Sequence, residues 1–288
     1  MRIRAPHLFV LPFALLFALV YVAPVGYAIH QSLFVSEVSG LGLGPGDRTT
    51  KFVGLSNYWQ ALTDPALLRG VGRTLLFGVV QVPVMLGLAL VLALLLDSGV
   101  AWLGGFFRLA FFLPYGIPGV IAAILWGFLY LPELSPFGHH DFLSSSTVLW
   151  SMANVTTWQW TGYNMLILFA ALQAVPRELY EAARMDGAGE LRTVVSVKLP
   201  MIMPALVMTG IFSIIGTLQL FSEPKVFRNL TGAVSSDYTP NLITFTEAFD
   251  NNNPHMASAI AVLLALVTCV LSFGLLKLSW RGAAEEQR

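Results

Sequence analysis

The sequence predicts an all-α membrane protein with six transmembrane helices and both termini in the cytoplasm, on three observations. Only 11% of its residues are charged and 56% are hydrophobic, against roughly 25% charged in an ordinary soluble domain. Six apolar runs contain no Lys, Arg, Asp or Glu, and each is close to the ~20 residues that carry a helix across the hydrocarbon core. Lys and Arg are shared unequally between alternate connections. The runs are continuous rather than alternating, which argues against a closed β-barrel. The formal net charge is zero, so nothing points to nucleic acid, and the single Cys269 excludes an intrachain disulfide framework.

The first run, 8–29, follows Arg2 and Arg4, and Gly26-Tyr27-Ala28 resembles a weak signal-cleavage site. Its length exceeds the roughly 7–15 apolar residues of a signal peptide, so a retained helix is expected. The long connection 30–73 is turn-rich over 40–46 and carries Tyr58-Trp59, placed like an interfacial aromatic anchor. Runs 74–96 and 109–131 follow, each expected as one continuous helix. The loop 132–146 holds His139, His140 and Asp141, but the ligand spacing of a closed metal site is absent and no metal is expected. Run 149–171 is the fourth span and 201–220 the fifth. The polar connection 221–255 is expected to hold a short helix around 242–249, before the sixth span at 256–276 and a short charged tail. The whole chain, 1–288, reads as a single transmembrane domain with no soluble domain.

With the N-terminus inside, the cytoplasmic set of Lys and Arg numbers ten: Arg2, Arg4, Arg108, Arg177, Arg184, Arg192, Lys198, Lys277, Arg281 and Arg288. The opposite set is Arg48, Lys51, Arg69, Arg73, Lys225 and Arg228. The excess sets the orientation.

No chemistry for energy capture is visible. None of the four lysines follows a Gly, so there is no Walker A sequence, and no Gly-x-Ser-x-Gly or His-Glu-x-x-His motif occurs. The spans lack the buried ionisable residues of proton- and ion-coupled carriers. A secondary carrier or channel, and a membrane enzyme, are therefore the weaker readings.

One connection, 176–192, is unlike its surroundings. Between Arg177 and Lys198 lie Glu178, Glu181, Arg184, Asp186, Glu190 and Arg192, immediately after 35 residues without a charge. Pro176 suits the first helical position, Glu178 and Glu181 complement the early dipole, and Gly187 is a plausible stop. A helix of roughly 15 Å on the cytoplasmic side follows. By pattern alone an amphipathic loop lying on lipid headgroups is the favoured reading.

Glu181-Ala182-Ala183, with Asp186-Gly187-Ala188 and Leu199-Pro200, resembles the "EAA" signature of permease subunits in binding-protein-dependent ABC importers. The spacing from Glu181 to Pro200 is similar to that of the carbohydrate-uptake branch, which includes maltose and glycerol-3-phosphate permeases. "FVGLSNYWQAL" (52–62), "PYGIPGVIAAILWGFLY" (114–130) and "ITFTEAF" (243–249) are similar to it too. The chain departs from the branch at Leu191, Val194 and Val195, where aromatics are frequent, and at Val197, where Ile is usual. The resemblance implies a type I ABC importer permease fold in the cytoplasmic membrane, with the first helix peripheral. It implies a non-catalytic subunit working with a second permease, two ATPases and an extracytoplasmic binding protein. The substrate would be a sugar, oligosaccharide or polyol, and ATP and Mg would be held by the ATPases, with no cofactor in this chain. It assigns Glu181, Ala182, Ala183, Asp186, Gly187 and Ala188 to ATPase coupling: Glu181 to meet a basic residue, the alanines to permit close docking, and Asp186 to brace the following turn.

Span four carries Trp158, Gln159, Trp160, Tyr163 and Asn164, a polar and aromatic cluster unusual for mid-membrane. Gln159 and Tyr163 share a face, as do Trp160 and Asn164, and Gln219 and Glu223 are similarly spaced near the end of span five. Aromatic platforms beside amides suit a sugar path. The same residues also suit an interfacial belt and inter-helix hydrogen bonds, and neighbouring side chains are not expected all to face one cavity.

Overall fold

The computed structural model describes residues 5–38, 48–99, 103–136, 138 and 140–285. Along the chain these form α1 (Ala5–Phe17), α2 (Ala23–Ser32), β1 (Phe34–Val38), β2 (Arg48–Phe52), α3 (Ser56–Thr63), α4 (Pro65–Asp97), α5 (Gly104–Phe112) and α6 (Gly119–Leu129). There follow α7 (Val148–Gln173), α8 (Arg177–Met185), α9 (Glu190–Thr193), α10 (Leu199–Leu218), α11 (Ser222–Phe227), α12 (Pro240–Phe245) and α13 (Pro254–Glu285). Wider, π-type turns join α1 to α2 at Ala18–Val22 and α9 to α10 at Val194–Lys198, and extend α12 at Thr246–Asp250.

Among the described residues, four helical stretches are long and apolar enough to cross a membrane: Phe9–Ser32, Pro65–Asp97, Glu190–Phe227 and Pro254–Lys277. The broken pair α5–α6 makes a fifth if counted as one span. With 26 residues α7 is long enough, at about 39 Å, but its Trp, Gln, Asn and Thr content leaves it too polar to count with the others. Pro12, Pro83 and Pro204 lie inside helices, as membrane helices tolerate.

The third span is not continuous. Helix α5 ends in a 3₁₀ turn, Leu113–Gly116, and α6 leaves at 97° to it. Pro114 and Pro118 lack a backbone N–H. Ile117, ahead of Pro118, is forced into an extended conformation (φ −82°, ψ 127°).

The chain divides into two compact units, Met1–Val71 with Ser236–Cys269, and Gly72–Ser235 with Val270–Arg288. In the first, the expected long loop is instead an antiparallel hairpin pairing Phe34 with Phe52 through Val38 with Arg48, followed by α3. The alternation in Phe34–Val38 and Arg48–Phe52 is short and easily missed, and the turn-rich 40–46 lies outside the described residues. The Asn57 amide donates to the carbonyls of Ser32 (2.8 Å) and Phe34 (2.7 Å), fixing α3 under the hairpin. Tyr58 and Ser32 hydroxyls are 2.5 Å apart, so Tyr58 is a structural tie, and only Trp59 projects outward as an interfacial anchor would. Ala61, Leu67, Ile243 and Ile260 form this unit's apolar centre. The expected short helix is present as α12 and its π turn. From Phe9 onward the aromatic and leucine side chains of α1–α2 are exposed, as lipid contact requires.

In the second unit, Ala89, Ala93, Met165, Leu168, Leu172, Val175 and Ile202 form a continuous core joining α4, α7 and α10. Helix α11, not anticipated from sequence, packs on α6 and buries Glu223, Pro224 and Phe227. His139 lies outside the described residues. Asp141 accepts from the Leu143 backbone N–H at 3.1 Å, a turn role.

Candidate functional site

The broken third span leaves the Ile117 carbonyl without a helical donor, and the Gln159 Nε2 of α7 donates to it at 2.6 Å. Irregular backbone at membrane depth is tolerated only where protein or a cavity meets its hydrogen-bonding needs. A cavity of about 410 Å³ opens beside this contact. Its lining includes all six sequence-derived path residues: Gln159, Trp160, Tyr163, Asn164, Gln219 and Glu223.

The expectation that neighbours on α7 face apart is corrected. At 100° per residue, positions 159, 163, 160 and 164 fall within one arc of about 140°, wide enough for one concave wall. The Asn164 amide donates to the Trp160 carbonyl (3.0 Å) and approaches the Met85 sulfur (3.4 Å). Gln81 approaches the same sulfur at 3.4 Å. Tyr163 stacks on Tyr115 (4.6 Å between centroids, 18° between planes), and Trp160 meets both rings edge-on. Gln81, Thr156, Ser213, Thr217 and Ser222 add further polar groups to the wall. Sequence reading missed them because Gln81 is a lone polar residue in an apolar run, the Thr209, Ser213 and Thr217 hydroxyls are spent on the preceding turn of their own helix, and Tyr115 lies in a stretch read as continuous helix.

Around 176–192 the structure gives α8, nine residues and about 13 Å long. Pro176, expected at the first helical position, is instead the N-cap, with ψ 134°, and the helix starts one residue later at Arg177. At the other end Gly187 takes φ +75°. The Ala188 N–H donates to the Ala183 carbonyl (2.9 Å) and the Gly187 N–H to that of Arg184 (3.0 Å). This pair of bonds closes a helix with a left-handed residue, which glycine adopts without a β-carbon penalty. Glu181, Ala182 and Asp186 are exposed, and Ala183 and Ala188 half-buried. Among the described residues Glu181 has no ion-pair partner. Among the described residues Asp186 makes no side-chain hydrogen bond, and its backbone N–H donates to the Ala182 carbonyl at 3.0 Å. Met185 (88% exposed) and Leu191 (79%) stand out to solvent beside them. The Arg184–Glu190 pair (3.3 Å) is exposed and contributes little.

Lys198, counted from sequence in the cytoplasmic set of Lys and Arg, is buried. Its Nζ donates to Asp97 Oδ2 at 2.6 Å, with both side chains under a tenth exposed. The Gln173 amide donates to the other Asp97 oxygen at 2.8 Å, and the Lys198 Nζ lies 5.3 Å from the Tyr180 ring centre. Burial, then the nearby Asp97 carboxylate, raises the Tyr180 phenol above its ordinary 10, so it stays neutral. No sequence signal marks Asp97, which sits 101 residues from its partner.

The family described as "Binding-protein-dependent transport system inner membrane component" matches residues 85–282. The lactose transport system permease protein LacF of Rhizobium radiobacter is 32% identical, with 86% of each chain covered. The trehalose transport system permease protein SugA of Mycobacterium tuberculosis is 31% identical, covering 96% of this chain and 88% of that one. A crystal structure of a bacterial ABC transporter that imports the polysaccharide alginate superposes with TM-score 0.79 at 17% identity, covering 96% of this chain and 94% of that chain. An inward-facing MetNI methionine transporter does so with TM-score 0.59 at 18% identity, over 75% of this chain and 95% of that one. At those identities the likeness shows the permease fold alone. The chain belongs to the binding-protein-dependent ABC importer family, as a multi-pass permease subunit of the cytoplasmic membrane.

Proposed function

We propose that this chain lines the membrane path for a neutral sugar, oligosaccharide or polyol, as one of two homologous permeases. The observation that carries this reading is the convergence of Gln159, Trp160, Tyr163, Asn164, Gln219 and Glu223 on one cavity. Amides pair with hydroxyls, and aromatic faces cover the C–H faces of a sugar ring. The lining has one carboxylate and no Lys, Arg or His. A phosphorylated or uronic sugar would meet repulsion there without a cation to offset it. Relatives named for lactose, trehalose and arabinooligosaccharides support the substrate class.

Energy enters from outside the chain. One of two ATPase subunits, which bind ATP and Mg, docks on 176–192 through Glu181, Ala182, Ala183, Asp186, Gly187 and Ala188, and an extracytoplasmic binding protein delivers the solute. The exposure of α8, with an unpaired Glu181 beside apolar Met185, supports that docking. The chain acts as one permease domain, 1–288, crossing the membrane six times with α7 as the fourth crossing and both termini cytoplasmic. The test is uptake of radiolabelled lactose and trehalose into liposomes holding this chain, its partner permease and the ATPases. Uptake is expected only with ATP inside and binding protein outside. Uptake by this chain alone would show a carrier or channel instead.

A further inference from the structure

We infer that the buried Asp97–Lys198 ion pair ties the docking segment to the helices walling the cavity, and that these two positioning residues carry the ATP-driven movement between them. The inference rests on the importer reading above. Three elements end at this pair, and a fourth passes beside it. Asp97 is the last residue of α4, Gln173 the last of α7, Lys198 the last before α10, and Tyr180 lies in α8 beneath the lysine.

From this knot the helices run unbroken to the cavity. Met85 lies twelve residues back along α4, about 18 Å, and Asn164 nine residues back along α7, about 13 Å. There the same two helices meet again, with the Asn164 amide 3.4 Å from the Met85 sulfur. Between the two contacts lies the core of Ala89, Ala93, Met165, Leu168 and Leu172. Helices α4 and α7 are therefore joined at both ends and packed between, so a displacement at Asp97 reaches the wall rather than dissipating. Packed cores of this kind shift between discrete arrangements instead of deforming continuously.

A buried ion pair is a poor choice for stability alone, because desolvation offsets most of its attraction. Its better-attested use is to fix register between elements. Here the fixed elements are spans two and four and the start of span five, with α8 of the docking segment held against the lysine through the Tyr180 ring. An apolar contact would hold them together but let them slide. The 2.6 Å bond, with Gln173 on the second oxygen, allows one alignment.

The test separates ATP hydrolysis from its consequence and needs no solute. A Ser213→Cys reporter in the cavity wall, with Cys269→Ser, is placed in the reconstituted importer with its partner permease, ATPases and binding protein. Maleimide labelling of assembled complexes is timed without nucleotide and after trapping with ATP and vanadate. With the native pair, trapping should change the labelling rate about fivefold or more. Asp97→Asn and Lys198→Gln should still hydrolyse ATP but lose that change, and the exchange Asp97→Lys with Lys198→Asp should recover it. Single variants that hydrolyse ATP and keep the full change overturn the tie. So does loss of assembly in the singles with an unchanged response in the complexes that do form. A native-pair reference showing no change counts against the importer reading itself.

Discussion

Gly162 of α7 lies directly against the Phe111 carbonyl of α5, with no room for a β-carbon between them. The contact sets the approach of the broken third span to the helix that carries Gln159, Trp160, Tyr163 and Asn164 into the cavity wall. Gly162→Ala would force backbone apart, which typically costs about 1–3 kcal/mol. Gly210→Ala, where the nearest neighbour is Leu86 at an ordinary 3.5 Å, should be close to neutral. Melting of the purified importer in detergent checks the pair: only the Gly162 variant should melt earlier.

The polar wall divides by role. Gln159 is occupied with the Ile117 carbonyl, so Gln159→Ala should lower both assembly and uptake. Tyr163→Ala and Asn164→Ala should leave the amount of complex within about twofold, while uptake falls roughly five- to a hundred-fold from losing about 1–3 kcal/mol of polar and stacking contact. Uptake per assembled complex is the measurement. Normal uptake in both would remove α7 from the path.

Exclusion of anionic sugars is proposed to rest on Glu223. Glu223 is the lone carboxylate of the lining. Glu223→Gln should leave lactose or trehalose uptake within about threefold and relieve exclusion of anionic sugars. Competition by a sugar phosphate, weak in the parent, should become stronger. Equal competition in both proteins would show that this side chain does not face the solute.

Topology is checked with single cysteines in a Cys269→Ser background. Trp59→Cys and Met185→Cys both replace well-exposed side chains. An impermeant maleimide added to intact cells should label position 59 and not 185, and broken cells should allow both. Labelling of 185 from outside would reverse the orientation drawn from Lys and Arg placement.

Long apolar runs were readable because lipid imposes a length and forbids charge. Runs 74–96, 149–171 and 256–276 lie within α4, α7 and α13. The break at 113–118 was also written in Pro114, Gly116 and Pro118, but hydropathy averages over such punctuation. The residues that converge on the cavity from α7 were visible as unusual polarity. Their shared arc was not appreciated, and Gln81 carries no local signal. Asp97 and Lys198 were least legible. Each looks like a charge at a helix end facing water, and only the packing of α4 against α7 and α10 buries them together.

Coupling through α8 is the central claim, and its most direct test is ATP hydrolysis measured beside uptake in the reconstituted importer. Glu181→Lys reverses the unpaired charge, and loss of a buried interfacial contact can cost about 2–5 kcal/mol. Gly187→Val forces a branched side chain into φ +75°, at roughly 1–2 kcal/mol. Both variants should insert and bind the binding protein normally. They should nevertheless lose ATPase association or the stimulation of hydrolysis by loaded binding protein, together with lactose and trehalose uptake. Normal stimulation and normal uptake in both would contradict the account and leave 176–192 as a charged loop on the membrane surface.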